Sequence, residues 1–96
     1  MRIQAAQRNI TVIIPALNEE AIIGDVVTSI LAENWGESIV DVIVVDNGST
    51  DNTAEKARKG GARVIIEHKR GYGAACLAGV KAVDHAGVIV FADGDG

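Results

Sequence analysis

Two carboxylates near the C-terminal end of the sequence are the residues whose type and spacing first suggest chemistry. Asp93 and Asp95 are separated by Gly94, and an apolar run at residues 88–91 leads directly into them. Carboxylates at the end of a buried strand are costly unless a cation lies between them. A glycine permits a bend that turns both towards one ion. Few oxygen ligands suit Mg²⁺ or Mn²⁺ shared with a diphosphate; the alternative is a solvated turn, for which Asp-Gly is a common signal.

A second polar segment, residues 46–51, follows another apolar run at residues 40–45. The side chains of Asp46 and Asn47 at a strand end could bond the edge of a base or a ribose hydroxyl. Residues 49–51 instead suit the N-cap and the first turn of a following helix. We therefore predict ligand contact for Asp46 and Asn47 and a structural role for residues 49–51.

A third segment combines cations with glycines. Lys69 and Arg70 precede Gly71 and Gly73, so the cations could face a diphosphate while the glycines allow close backbone approach. A Gly-x-Gly pattern also occurs in dinucleotide-binding loops, but here it follows the third predicted strand rather than the first. A solvated loop remains the alternative reading for each cation.

The fourth segment, residues 15–20, follows the first apolar run. Asn18 is predicted to cap a helix. Glu19 suits either the positive end of the helix dipole or a contact with a ribose. The segment contains no glycine, which disfavours a dinucleotide oxidoreductase.

Apolar periodicity predicts strands that alternate with helices. Unbroken β-branched runs are typical of strands that are covered on both faces. Four strands are predicted, at residues 10–14, 40–45, 62–66 and 88–92. Three helices are predicted between them: one capped by Asn18 and ended by Trp35, one ending near Lys59, and one over about 73–85.

This order predicts an α/β fold: a Rossmann-like three-layer α/β/α arrangement with a mostly parallel sheet of about four strands. Ligands of such sheets bind beyond the carboxyl ends of the strands. The polar segments all follow strands, so they are expected to meet at one edge of the sheet. These loops are residues 15–19, 46–51, 68–73 and 93–96.

Composition limits the classes of function. The 96 residues suit one small domain, and a net charge of -4 without a basic stripe argues against nucleic-acid binding. The single cysteine, Cys76, cannot form an internal disulfide, which is consistent with a reducing compartment. No apolar stretch is long enough to span a bilayer. We therefore expect a cytoplasmic location, including the cytoplasmic face of a membrane.

Taken in order, the segments resemble the nucleotide-sugar-binding half of family 2 glycosyltransferases with the GT-A fold. Residues 12–20 look like the opening strand and loop of the family, residues 44–53 are similar to its second signature, and residues 93–95 match its metal-binding D-x-D. The resemblance runs from Thr11 to the end of the sequence. Residues 70–75 resemble the branch of polyprenyl-phosphate mannosyl- and glucosyltransferases, such as dolichyl-phosphate mannose synthase.

The resemblance implies transfer of a sugar from a UDP- or GDP-linked donor, with Mg²⁺ or Mn²⁺ at the leaving diphosphate. By matching position, Pro15, Leu17 and Glu19 would line the nucleotide pocket, Val45 and Asn47 would meet the base, and Asp93, Gly94 and Asp95 would hold the metal and the diphosphate. Asp46 and Arg70 complete the predicted donor-binding set. The Asn47 position is often Asp in the family, which leaves the choice of base open.

The resemblance places the acceptor site and any general base after the D-x-D. We therefore expect residues 1–96 to form a single donor-binding domain of a longer glycosyltransferase, without a catalytic residue of their own and inactive in isolation. The acceptor could be a polyprenyl phosphate. An exposed apolar edge on the fourth strand would invite pairing with another chain, so self-association is also expected.

Two other functions fit less well. A sugar-phosphate nucleotidyltransferase would carry a glycine-rich, basic loop after its first strand, and residues 15–20 have neither feature. A nucleotide-binding module without catalysis remains open, and it would bind a donor without transferring its sugar.

Overall fold

The computed structural model describes residues 8–85 and 87–93, so the predictions for Gly94 and Asp95 lie outside the described residues. Strands and helices alternate along the chain as predicted. The elements are β1 (Asn9–Ala16), α1 (Ile23–Ala32), β2 (Ile39–Asp46), α2 (Thr53–Gly60), β3 (Arg63–Ile66), α3 (Tyr72–Lys81) and β4 (Val88–Phe91).

The four strands form one parallel sheet in the order β3-β2-β1-β4. In the central register, Ile13 of β1 pairs with Ile43 of β2 on one side and with Phe91 of β4 on the other. Because every pair is parallel, all four carboxyl ends lie at the same edge of the sheet. The predicted α/β class and the parallel sheet are confirmed.

Both faces of the sheet are covered, which explains the unbroken apolar runs in β1 and β2. Alternate residues point to opposite faces. Val12 and Val44 join a buried cluster with α1 and α2, whereas Ile13 and Ile43 join a second cluster with Ala75 of α3. The helices therefore lie on two faces, as the three-layer prediction requires.

Pro15 lies inside β1, although the strand predicted from the sequence ended at residue 14, just before this proline. Ala16 O accepts from Asn47 N on the β2 side, and Ile13 O accepts from Ala92 N on the β4 side. Successive residues of a parallel strand bond to opposite neighbours, so the position of the missing Pro15 N–H faces β4. The pairing with β4 ends at Ile13, and Pro15 therefore removes no hydrogen bond from the ladder.

Two of the helices, α1 and α3, are shorter than predicted, whereas α2 ends at Gly60, close to its predicted end. α1 ends at Ala32, and the Trp35 indole lies beyond it and donates to Ile30 O at 2.7 Å. α3 ends at Lys81, so His85 lies in the connection to β4, where its Nε2 is 2.6 Å from the hydroxyl of buried Thr11. Among the described residues, no helix has the length and apolarity needed to cross a bilayer.

Candidate functional site

Four loops come together at the carboxyl edge of the sheet. Backbone hydrogen bonds extend the pairing into these loops: Asn47 N donates to Ala16 O at 2.9 Å, and Glu67 N donates to Asp46 O at 3.0 Å. Ala92 continues β4 in the same direction. The β1–α1, β2–α2 and β3–α3 loops thus lie side by side with Ala92 and Asp93, the described residues after β4, in the arrangement predicted from the sequence.

A pocket of about 380 Å³ opens between three of these loops. Its volume falls within the range of small-molecule sites, and its walls are mostly apolar. It is lined by Pro15, Ala16, Leu17, Asn47, Arg70, Gly71, Tyr72 and Ala75. Four of the predicted donor-binding residues, Pro15, Leu17, Asn47 and Arg70, are therefore brought together around one cavity.

Asn47 is nearly buried and holds the β3–α3 loop in place. Its Nδ2 donates to Glu67 O at 2.9 Å and to Lys69 O at 2.8 Å, and its Oδ1 accepts from Gly71 N at 3.0 Å. Both amide hydrogens are thus used within the protein, whereas Oδ1 keeps one lone pair. The side chain that was predicted to meet a base is bonded to the loop that forms the opposite wall of the pocket.

The Arg70 guanidinium lies over the backbone of Gly48. A Cβ at Gly48 would lie 3.4 Å from Arg70 Nε and 3.7 Å from its Cζ, and Gly48 has a φ of +103°. Glycine is favoured at this position because the φ is positive. Among the described residues, the ion pairs within 4.0 Å are Lys59–Glu55 and Arg63–Asp41. Within that part of the chain, Arg70 thus presents an unmatched positive charge to the pocket.

Asp46 is almost fully buried at the end of β2. Its Oδ1 accepts from Gly48 N at 3.2 Å and from Ser49 N at 2.8 Å. Such a turn, closed by an aspartate side chain, fixes the direction in which the chain leaves the strand. The carboxylate therefore shapes the β2–α2 loop beside the pocket rather than lining it.

Asn18 joins the β1–α1 loop to the β2–α2 loop. Its Oδ1 accepts from Thr50 N at 2.8 Å and from the Thr50 hydroxyl at 3.3 Å, and its own N donates to Ser49 Oγ at 2.9 Å. Asn18 has a φ of +53°, which asparagine tolerates better than most residues. The predicted capping of α1 by Asn18 is wrong, because α1 begins at Ile23.

The cap predicted for α2 at residues 49–50 is also wrong, because that helix begins at Thr53. Asp51 satisfies its first donor instead. The Asp51 Oδ1 accepts from Thr53 N at 3.0 Å and from the Thr53 hydroxyl, and its Oδ2 accepts from Glu20 N at 3.3 Å. These bonds, the one from the Thr53 hydroxyl foremost, lower the pKa of the Asp51 carboxyl.

Two predicted residues lie away from the pocket wall. Val45 is fully buried and packs in the core with Ala75. Glu19 is partly buried in the β1–α1 loop, and its backbone N–H donates to the Thr53 hydroxyl at 2.9 Å. Val45 therefore supports the pocket through Ala75, and Glu19 links the β1–α1 loop to the start of α2.

Asp93 follows β4 and is exposed. A hydrogen bond with Cys76 is the main cause that raises the pKa of Tyr72, and the negative charge of Asp93 contributes to the same shift. Ala92 N donates to Ile13 O at 3.0 Å, so Asp93 leaves the sheet at the carboxyl end of β4, beside the end of β1 that carries Pro15 of the pocket wall. Tyr72 was not among the residues predicted to bind the donor; its position between two glycines at the start of α3 was the available signal.

Residues 8–85 and 87–93 contain no group of three or more His, Cys, Asp or Glu residues that could hold a metal ion. A closed site made only of protein side chains is therefore not built from these residues. Mg²⁺ commonly takes one or two carboxylates and completes its shell with phosphate oxygens and water. Asp93 can supply one such carboxylate to a metal that arrives with a diphosphate.

Sequence comparison relates the chain to known glycosyltransferases. The family model described as glycosyl transferase family 2 matches residues 11–96. An uncharacterized glycosyltransferase of Mycobacterium tuberculosis is 40% identical over 87 residues, which cover 91% of this chain and 37% of that protein. Glucosyl-3-phosphoglycerate synthase of the same organism is 49% identical over 61 residues, or 62% of this chain and 18% of the enzyme.

Solved structures are similar over most of the chain. The crystal structure of M. tuberculosis glucosyl-3-phosphoglycerate synthase matches with a TM-score of 0.77 and 38% identity, covering 92% of this chain and 34% of that one. A complex of this synthase with Mn²⁺, UDP-glucose and phosphoglyceric acid matches with a TM-score of 0.76 and 38% identity, over 91% and 33% of the two chains. The chain spans about a third of the length of these relatives. It belongs to glycosyltransferase family 2.

Proposed function

We propose that the protein transfers a sugar from a nucleoside-diphosphate sugar and that this chain supplies the donor site. The observation that carries the proposal is the pocket at the carboxyl edge of the sheet, where Asp93 follows β4, the strand next to β1. Its apolar walls suit a base and a ribose, the Arg70 charge suits a polar group of the nucleotide, and Asp93 lies on the side towards β4. Complexes of the related M. tuberculosis synthase with UDP and with UDP-glucose support this assignment.

The proposed donor-binding residues divide into four groups along the chain. Pro15 and Leu17 form the apolar wall, and Glu19 follows them in the β1–α1 loop. Asp46 and Asn47 shape the end of β2 above the buried Val45. Arg70 lies in the β3–α3 loop, and Asp93, Gly94 and Asp95 would form the metal and diphosphate end.

Asp93 and Asp95 would hold Mg²⁺ or Mn²⁺. When bound, the ion would stabilise the negative charge that develops on the leaving diphosphate. The exposed Asp93 carboxylate leaves room for phosphate oxygens and water, and related synthases have been crystallised with Mn²⁺ or Mg²⁺ and UDP. The protein's own part is to orient the donor against the pocket walls.

The acceptor is proposed to be a phosphorylated molecule. The resemblance at residues 70–75 favours a polyprenyl phosphate, whereas the identity to glucosyl-3-phosphoglycerate synthase favours a phosphoglycerate. Residues 1–96 would form a single donor-binding domain of a longer enzyme whose acceptor residues lie elsewhere. The enzyme would act in the cytoplasm, including the cytoplasmic face of a membrane.

The exposed edge of the sheet suggests self-association. β4 is an outer strand, and Val88, Ile89 and Phe91 are 40%, 37% and 47% exposed. An outer strand offers unpaired backbone groups to another chain. The proposed contact would pair this edge with a second copy.

Calorimetric titration of UDP and GDP into the full-length protein, with and without Mn²⁺, tests the donor site. We expect Mn²⁺ to tighten binding of one nucleotide in the wild type, and Asp93→Ala and Asp95→Ala to abolish this gain. Glu37→Ala is the matched control, because Glu37 is an exposed carboxylate in the α1–β2 connection at the other edge of the sheet. Equal metal dependence in wild type and Asp95→Ala would refute the metal assignment.

Transfer is tested separately by incubating the full-length protein with UDP-glucose or GDP-mannose and each phosphorylated acceptor. Formation of a glycosylated product supports the transferase. Nucleotide binding without transfer or donor hydrolysis would favour the non-catalytic binding module instead.

A further inference from the structure

The strand order indicates which part of a nucleotide each end of the site would contact. Asp93 follows β4 and Asn47 follows β2, with β1 between them. The ends of β2 and β4 are two strand spacings apart across the sheet, which is about 10 Å. If the diphosphate lies at Asp93, as the proposed function requires, an extended nucleotide that crosses β1 brings its base beside Asn47 and the β3–α3 loop.

Asn47 has no hydrogen left to donate to such a base. Its two Nδ2 hydrogens are bonded to Glu67 O and Lys69 O, at 2.9 and 2.8 Å. Both acceptors are backbone carbonyls of the β3–α3 loop, and the Gly71 N–H of the same loop donates to Oδ1 at 3.0 Å. To release these bonds for a ligand would leave loop groups without partners, which is costly.

Among the described residues that line the pocket, Arg70 and Tyr72 carry the other side-chain donors, and the Tyr72 hydroxyl is hydrogen-bonded to Cys76. The donor left for a base is therefore the Arg70 guanidinium. Arg70 lies in the segment between the carbonyl of Lys69 and the N–H of Gly71, both bonded to Asn47. Its guanidinium rests against Gly48 and lines the pocket. A guanidinium donates hydrogen bonds and accepts none, so it discriminates between a carbonyl and an amino group on a base.

We propose that Arg70 reads the base of the donor, and that Asn47 is a positioning residue that acts through the loop carrying Arg70. Uracil and guanine present carbonyl oxygens where cytosine and adenine present amino groups. The site would therefore select the keto bases, and uridine over cytidine within the pyrimidines. This inference rests on the proposed donor site and adds the group that chooses the base.

Binding of UDP and CDP to the full-length protein tests the role of Arg70, because the two bases differ at the carbonyl in question. We expect wild type to bind UDP at least tenfold more tightly than CDP, on the order of the effect of a hydrogen bond to a charged group. Arg70→Ala should weaken UDP binding and bring the ratio close to one. Lys69→Ala is the control: it removes an exposed cation of the same loop whose side chain lies outside this pocket, and it should leave the ratio unchanged.

A double-mutant cycle tests the role of Asn47. Asn47→Ala should lower the UDP-to-CDP ratio in the wild-type background and change it no further in the Arg70→Ala background, because both changes remove the same contact. Additive losses would mean that Asn47 contacts the base itself and would overturn the positioning role. A thermal melt of each variant checks that it is folded. If Asn47→Ala does not fold, the UDP-to-CDP ratio of Arg70→Ala by itself still tests whether Arg70 recognises the base.

The outcomes separate this inference from the proposed function. Failure of wild type to bind any nucleoside diphosphate would refute both. Tight UDP binding with an unchanged UDP-to-CDP ratio in Arg70→Ala would leave the donor site standing and refute the role of Arg70. An equal fall of the ratio in Lys69→Ala would show that general positive charge, rather than one guanidinium, sets the preference.

Discussion

Replacement of Asn47 by aspartate changes one atom group at the centre of the site. The amide nitrogen that donates to Glu67 O and Lys69 O becomes a carboxylate oxygen, which faces those two carbonyls at 2.9 and 2.8 Å in the present geometry. Two hydrogen bonds are lost, and a charge is placed at a site that is 8% exposed. We expect the free energy of unfolding to fall by about 2–4 kcal/mol near pH 8.

The loss in the Asn47→Asp variant should depend on pH. The carbonyls and the burial favour the neutral acid, so the pKa of the introduced carboxyl group would be raised in the folded state. The neutral acid also supplies one O–H donor to the loop. Because this pKa is raised in the folded state, the free energy of unfolding of the variant should be closest to that of wild type at low pH. It should fall below the wild-type value as pH rises through the folded-state pKa.

Urea unfolding of wild type, Asn47→Asp and Asn47→Ala at pH 5 and pH 8 provides the measurement. Asn47→Ala controls for loss of the side chain, because its deficit should be nearly the same at both pH values. Hydrogen exchange at residues 67–71 should be faster in both variants. A deficit in Asn47→Asp that is absent, or equal at the two pH values, would refute the role assigned to the amide.

Three further predictions concern other parts of the chain. The lowered pKa of Asp51 stabilises the folded state above the ordinary carboxyl range, and this stability is lost as pH falls through the folded-state pKa. In Asp51→Asn, the free energy of unfolding measured with urea should therefore depend less on pH at acid pH than it does in wild type. Gly79→Ala should cost about 1–3 kcal/mol in thermal unfolding because its Cβ would collide with the Ile13 side chain; Gly73→Ala, where a Cβ meets open space, should be neutral or stabilising. Ile89→Lys on β4 should reduce self-association in light scattering, and no change would exclude this strand from the contact.

The arrangement of the sheet was accessible from sequence because its signals are local. The β-branched runs of β1 and β2 predict strands covered on both faces, and parallel strands place their following loops at one edge. The convergence of Pro15, Asn47 and Arg70 follows from these two facts. It required no knowledge of any individual side-chain contact.

Contacts between distant loops were not accessible in the same way. Asn18 is of a residue type that is favoured at helix N-caps, but its carboxamide instead bonds Thr50, 32 residues away. Asn47 reads locally as a polar residue after a strand, and its partners lie 20 to 24 residues further along the chain. Local propensity predicts that such residues seek backbone partners, but only the packed sheet determines which backbone they reach.

The hydrogen bonds between the β1–α1 and β2–α2 loops matter when these loops are transplanted into another protein scaffold. Asn18 bonds Thr50, Glu20 accepts from Asn52 N at 3.1 Å, and Asp51 accepts from Glu20 N in return. A graft that exchanges only one of the two loops would leave the hydrogen-bonding groups of that loop without their partners in the other loop. Engineered chimaeras should therefore exchange both loops together. A substitution at one of these hydrogen-bonded positions should be tolerated mainly when its partner residue is substituted as well.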